Sequence, residues 1–457
     1  MWVTSRCGWF GRLAAALAIV LVATSACSAT ARDAKKAENE ASRKPATKRP
    51  SKDKIMTTHS TYPVRFCSPR RDSALAVHTT AAGKVTWSHE LSAAASADWP
   101  PTVLMWGNRP VVASAAAVDV FGPDGERKWT FAKQFGTPAA IADGRLYYKA
   151  KTTFLEAFDT DGLKILSESP FPGASDAEVK VDLFWPRDHD FIAVIRNLGT
   201  MEVAEGDDPN KPLKPPSIFV MKNRYPTTYG DWQLKYVGEP RLAPLLSPEH
   251  AVVAVLFDEV VRVDVAHDKE VSRFKVPLET LTEWSVDPGE VYTFVGYDTT
   301  SAGRLKVLLA MSADGHELWR WTDAEDAEEW AIRQPPIRGA GGRVYVLTRG
   351  RLLAIEAGKL RWHYDALSEG LKHGTHVDAG AFEIKDGRLM ATGSLRHGAV
   401  LSDGSLLVTG NRTLHHIGAD GRKLFAVSVD ADILSPPVVD PDGHIYVATA
   451  THLVRID

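Results

Sequence analysis

Four groups of residues are of types that could do chemistry. His373 and His376, with Asp378 beyond them, are metal-ligand types. A structural or catalytic zinc centre draws three or four such ligands, usually from two clusters. No second cluster accompanies this one and its surroundings read as a loop, so no metal is expected there. His415 and His416 are adjacent in a stretch of strand character. Neighbouring side chains on a strand point to opposite faces, so the two cannot easily grip one ion. Asp440, Asp442 and Gly443 have the spacing of half a calcium loop but lack the downstream Glu. A turn between two strands accounts for them better. The fourth group is acidic: Asp323, Glu325, Asp326, Glu328 and Glu329, bracketed by Trp321 and Trp330. A charge run is ordinarily a solvated face, but carboxylates flanked by aromatics also suit the rim of a docking surface.

The common catalytic signatures are missing. The chain has no Ser/His/Asp triad signature, no Gly-rich phosphate loop and no HExxH. The 53 carboxylates of residues 61–457 offer no way to single out a glycosidase pair. Cys7, Cys27 and Cys67 are too few for a disulfide scaffold or a multi-cysteine metal cluster. Catalytic residues, cofactor and metal are all expected to be absent. Against those 53 carboxylates stand 43 Lys/Arg, so the folded part is acidic, which argues against a nucleic-acid partner.

The elements that must position these residues begin after an export signal. Arg6 and Arg12 lead into an apolar run, Leu13 to Val22, which is too short to span a bilayer and fits the core of a signal peptide over 1–26. Ala23, Thr24, Ser25 and Ala26 before Cys27 resemble a bacterial lipobox, which implies acylation of Cys27. Thr24 stands where Leu is commonest in that motif, and cleavage with release of a soluble protein is the alternative. Residues 28–60 lack aromatics and apolar periodicity, and nine Lys/Arg outnumber four Asp/Glu. Such a segment cannot bury enough surface to offset its ordering entropy. Residues 27–60 are expected to be a flexible basic tether.

From 61 to 457 the chain repeats. LAVHTTAAGKVTW ends at Trp87, VDVFGPDGERKW at Trp129, LEAFDTDGLKIL at Leu166, LLAMSADGHELW at Trp319, LLAIEAGKLRW at Trp362 and LHHIGADGRKLF at Phe425. A glycine stands four residues before each of these apolar residues. Weaker copies end at Tyr236 and Phe274. Each copy reads as a strand, a glycine turn and a second strand, with a further strand pair upstream of most. Units of four short antiparallel strands at this spacing fit propeller blades, most simply eight, or seven without the copy at 236. Two spacings are long and hold insertions, a Pro-rich one at 204–216 and another at about 367–395. The last residues supply three strands of a blade and AAGKVTW supplies the missing one, so the ends are expected to pair. Leu75–Thr79 and Leu453–Ile456 compete for the third strand of that blade.

The recurring Gly-x-x-x-Trp at Trp87, Trp129, Trp319 and Trp362 resembles the PQQ-type, or quinoprotein-like, β-propeller repeat. The resemblance implies an all-β propeller whose aromatics, here Trp87, Trp129, Trp319, Trp362 and Phe425, dock one blade on the next. One branch of that family oxidises alcohols with PQQ and Ca²⁺, and its pattern includes adjacent cysteines that this chain lacks. The other, non-catalytic branch of BamB-like envelope lipoproteins is closer in anchor, length and blade number. The function expected is therefore a monomeric, non-enzymatic binding or scaffolding propeller, lipid-anchored in the bacterial cell envelope, with protein partners. A PQQ-dependent oxidoreductase and a polysaccharide-binding surface protein are the alternatives. The candidate partner surface is Asp323, Glu325, Asp326, Glu328, Glu329 and Trp330.

Overall fold

The computed structural model describes residues 75, 77–95, 100–133, 139–142, 144–149, 155–168, 179–187, 190–197, 217–224, 229–234, 245–246, 251–256, 259–264, 269–287, 289–300, 303–322, 334–348, 350–366, 382–385, 388–391 and 395–457. The signal peptide, Cys27, the tether, the 204–216 insertion, Asp323–Trp330, Tyr236 and the His373/His376/Asp378 group lie outside them.

The described strands form eight four-stranded antiparallel sheets, and the fold is a β-propeller. Seven sheets are continuous in sequence, at 102–132, 139–168, 179–234, 245–275, 280–321, 337–365 and 397–428. The eighth joins Val438–Val439, Ile445–Ala448 and His452–Ile456 to Val85–Glu90 from the other end of the chain. Trp87 pairs with Arg455 and Glu90 with His452. His452–Ile456 is thus the third strand of this sheet. Leu75 and Val77–Thr80 form no strand: the amides of Leu75 and Thr80 donate to Val400 and Gly443, and the Val77 carbonyl accepts from Ser402, before the chain enters Val85–Glu90. A separate hairpin, Phe382–Lys385 with Arg388–Ala391, stands within the expected 367–395 insertion.

Burial explains why the strands read as they do. In the 102–132 sheet, Thr102–Trp106, Arg109–Ala113 and Ala117–Phe121 are almost wholly buried, whereas Arg127–Ala132 alternates between half-buried and exposed. The first three strands of a sheet pack between neighbours on both faces, so they need continuous apolar runs. The fourth lies at the rim and covers only one face.

Antiparallel alternation divides the connections between two faces. Those from first to second strand and from third to fourth leave from one face, and none of them exceeds five residues. Those from second to third strand, and from one sheet to the next, leave from the other. Every long connection is among these, including 198–216, 322–336 and 366–396. The entering residues 75–84 cross the tight-turn face, against 400–402 and 442–443.

Candidate functional site

The repeated chemistry of the molecule lies at the seams. A methyl group on Gly162 would sit 2.6 Å from the Trp129 indole of the preceding sheet, and one on Gly421 would sit 2.8 Å from Trp362. Both glycines have positive φ, 75° and 86°, so the turn needs glycine for its backbone as well as for its space. The same relation, looser, links Gly125 to the Trp87 ring at 3.0 Å, with His89 nearer still, and Gly358 to Trp319 Cβ at 3.1 Å. It also links Gly83, just before Val85–Glu90, to Phe425 of the 397–428 sheet. Arginines add to three of these seams. Arg455 donates to the Pro123 carbonyl at 2.9 Å and Arg343 to that of Ala419 at 3.2 Å. Arg109 donates to Thr160 O while lying 5.3 Å from the centre of the Trp129 ring. In each case the accepting carbonyl belongs to the turn whose glycine faces the aromatic.

Of two further features here, the copy ending at Phe274 was legible in the repeat and the other was not. The first concerns the 245–275 sheet, where the ladder shifts between Arg262 and Val263 as its counterparts do, and Ser272 stands at the register position of Trp129. Phe274, two residues on, is the residue that meets Gly315. The second is a clamp on the turn 287–291. Arg262 of the preceding sheet binds Glu290 at 2.7 Å, and Arg338 of the following sheet binds Asp287 at 2.6 Å. Glu290 holds a positive φ of 60°, an uncommon conformation for a residue with a side chain. Nothing in a repeat of apolar residues and glycines signals these charge pairs.

Ligand-type atoms of Asp440, Asp442 and His444 lie within 4.8 Å of one another. The Asp440 carboxylate is already committed. One oxygen accepts the amides of Asp442 and His444 at 2.9 Å, and the other lies 2.8 Å from His444 Nδ1 and accepts the Tyr446 hydroxyl at 2.9 Å. A cation would have to displace these partners, and the arrangement works as a turn clasp. Burial raises the Tyr446 hydroxyl well above its ordinary value, and the Asp440 charge adds to that.

His415 and His416 face different partners. His415 Nδ1 lies 3.2 Å from the Tyr364 hydroxyl of the neighbouring sheet, while His416 Nε2 lies 2.9 Å from Ser405 Oγ, which donates to Asp403 at 2.6 Å. This Ser/His/Asp contact is not a nucleophilic triad, because the carboxylate holds the serine rather than orienting the imidazole. Burial pushes His415 down to about 4 and also lowers His416. Lys133 and Lys306 are pulled down to about 8 by burial; Lys133 donates to Ala115 O, and Lys306 lies 5.5 Å from the centre of the Tyr297 ring.

Four-stranded sheets, glycine turns and aromatic seams together define a β-propeller of PQQ-like repeats. Its residues 231–370 match a family model described as outer membrane protein assembly factor BamB. No curated protein matches the chain. Among solved structures it is similar to a streptogramin B lyase at 11% identity and a TM-score of 0.43, over 81% of this chain and 97% of that one. It is also similar to the extracellular domain of a putative hybrid two-component system from B. thetaiotaomicron, at 10% identity and a TM-score of 0.42, over 81% of this chain and 41% of that one. A virginiamycin B lyase from Staphylococcus aureus matches at 10% identity and a TM-score of 0.41, over 69% and 92%. Likeness at this level says nothing about activity.

Proposed function

We propose that this protein is a non-enzymatic scaffold of the bacterial cell envelope, exported, anchored through Cys27 and holding protein partners on the long-loop face of its propeller. The carrying observation is the match of 231–370 to a model described as an outer membrane assembly factor. The placement of the connections supports it. The Pro-rich insertion 204–216, the acidic run 323–329 with Trp330, and the 366–396 segment all belong to connections of one face. That face is clear of the entering residues 75–84. Loops held by a rigid scaffold are where binding residues concentrate.

Three variants test this reading. Cys27→Ala should release the protein from membranes with its fold intact, and retention of the variant in the detergent phase would count against the anchor. Replacing Asp323, Glu325, Asp326, Glu328 and Glu329 by their amides should slow association with partners recovered from intact envelopes and flatten its salt dependence. Trp330→Ala should speed dissociation, at a cost of ~2 kcal/mol or more if Trp330 anchors the contact. A loss of thermal stability with affinity unchanged in the folded fraction would make Trp330 a packing residue and remove it from the surface.

A further inference from the structure

A charged side chain is costly to bury unless something meets its charge. Six described Lys, Arg, Asp or Glu residues are buried: Asp119, Lys133, Arg262, Lys306, Arg338 and Asp440. Five of them have partners. Asp119 accepts from the Ser92 amide and the Thr130 hydroxyl, and Lys133 donates to Ala115 O. Arg262 and Arg338 pair with Glu290 and Asp287, and Asp440 is clasped within its own turn. Lys306 is the exception. It is 6% exposed, and among the described residues its amine makes no hydrogen bond and no ion pair. It faces the Tyr297 ring, whose centre lies 5.5 Å from Nζ, a contact weaker than a counter-charge. Burial pulls the amine down to about 8, so at neutral pH it is still mostly an ammonium.

The strands fix where this charge sits. Lys306 pairs with Tyr297 across the ladder, and Leu308 pairs with Val295. Alternation puts all four on one face of the sheet. Val295 and Leu308 pack there with Val344 and Val346 of the 337–365 sheet. The outer strand reaches only as far as Leu308, which pairs with Trp321, and Trp321 packs against the same cluster. Lys306 lies beyond that last pair, three residues from the start of its strand at Gly303. The amine therefore stands at the long-loop end of the seam between the 280–321 and 337–365 sheets.

We propose that Lys306 anchors an anion site on the long-loop face and takes one carboxylate, borne on an apolar residue, from a protein partner. This rests on the reading of that face as a docking surface and adds a chemical feature of what docks there. An arriving carboxylate supplies the counter-charge that the fold omits. Its hydrogen bond to an ammonium in a largely apolar seam is stronger than the same bond in water. Tyr297 and Trp321 suit an apolar body beside the carboxylate. The folded part carries 53 carboxylates against 43 Lys/Arg, which disfavours a polyanion and favours a single negative group.

The test follows the lysines of the purified full-length chain by NMR after reductive methylation with carbon-13 formaldehyde. The Lys306 signal is the one lost in Lys306→Met. With ~10 mM N-acetylleucine its titration midpoint should rise by ~1 pH unit, a tenfold preference of the acid for the ammonium form. N-acetylleucinamide should leave it where it was. Without any ligand, Lys306→Met should raise the thermal midpoint at pH 7, because it removes a buried charge and breaks no pair. A lower midpoint would place the partner within this chain and overturn the proposal. A Lys306 titration indifferent to the acid, or moved equally by the amide, would do the same. Partners recovered from intact envelopes should bind Lys306→Met ~10-fold or more weakly. Unchanged partner affinity beside a responsive titration would assign the site to a free small acid and overturn the choice of a protein. Recovery of no partner would count against the scaffold reading, while the titration and the thermal midpoint would still decide the site.

Discussion

At the scale of single residues, buried polar groups hold the turns and seams of the 397–428 sheet and its neighbours. His415 is the most sensitive of them, because it is buried and held neutral. Its pKa is about 4 in the folded protein against an ordinary 6.5. The unfolded chain therefore takes up a proton as pH falls through 6.5, while the folded one does not until about 4. Stability is full above 6.5 and falls across that window, by ~3 kcal/mol for this one group. His415→Phe should flatten the pH dependence of unfolding between 6.5 and 4. Denaturant unfolding of both proteins at several pH values checks this, and identical slopes would mean that His415 is not the titrating group. Asp440 makes a parallel case for reading chemistry from geometry. Its spacing in sequence has the look of a cation loop, yet its oxygens serve two amides, an imidazole and a phenol.

At the scale of elements, the unit is a glycine turn of one sheet set against an aromatic on the outer strand of the sheet before it. The two halves should fail differently. Trp129→Ala removes a half-buried indole and leaves a gap beside Gly162, which should cost ~2 kcal/mol or more. Gly162→Ala adds one methyl group to a residue at φ 75° and 2.6 Å from that indole. The backbone and the ring are both strained, at a cost of ~1–3 kcal/mol. In the double variant the ring is gone, so the Gly162→Ala penalty should shrink to its backbone part. Thermal or denaturant unfolding of the four proteins gives the coupling, and strictly additive losses would separate the turn from the seam.

At the scale of the whole molecule, the two ends of the propeller meet in one sheet. Val85–Glu90 is paired along His452–Ile456, and Lys84 and Asp457 exchange backbone hydrogen bonds at 2.7 and 2.8 Å. We propose an eight-bladed ring closed by those strands. Deleting 449–457 would leave Val85–Glu90 without its partner and expose a buried edge. Aggregation or loss of cooperative unfolding is expected, read by light scattering and calorimetry. A thermal midpoint equal to that of the full chain would show that this pairing does not hold the ring.

The sequence by itself determined the local pattern. Glycine four residues before a large apolar residue is a short-range requirement of turn and strand, so it shows as a repeat and identifies the propeller. The choice between Leu75–Thr79 and Leu453–Ile456 for a third strand was beyond it, because both are short apolar stretches and pairing partners lie hundreds of residues apart. Phe274 was legible as the end of a weak copy, and it is the residue that meets Gly315. The Arg262–Glu290 and Arg338–Asp287 clamps join charges from different sheets, and only the packing of those sheets brings them within reach. Tertiary structure alone likewise decided where the ladders shift register, because a bulge is a relation between two strands.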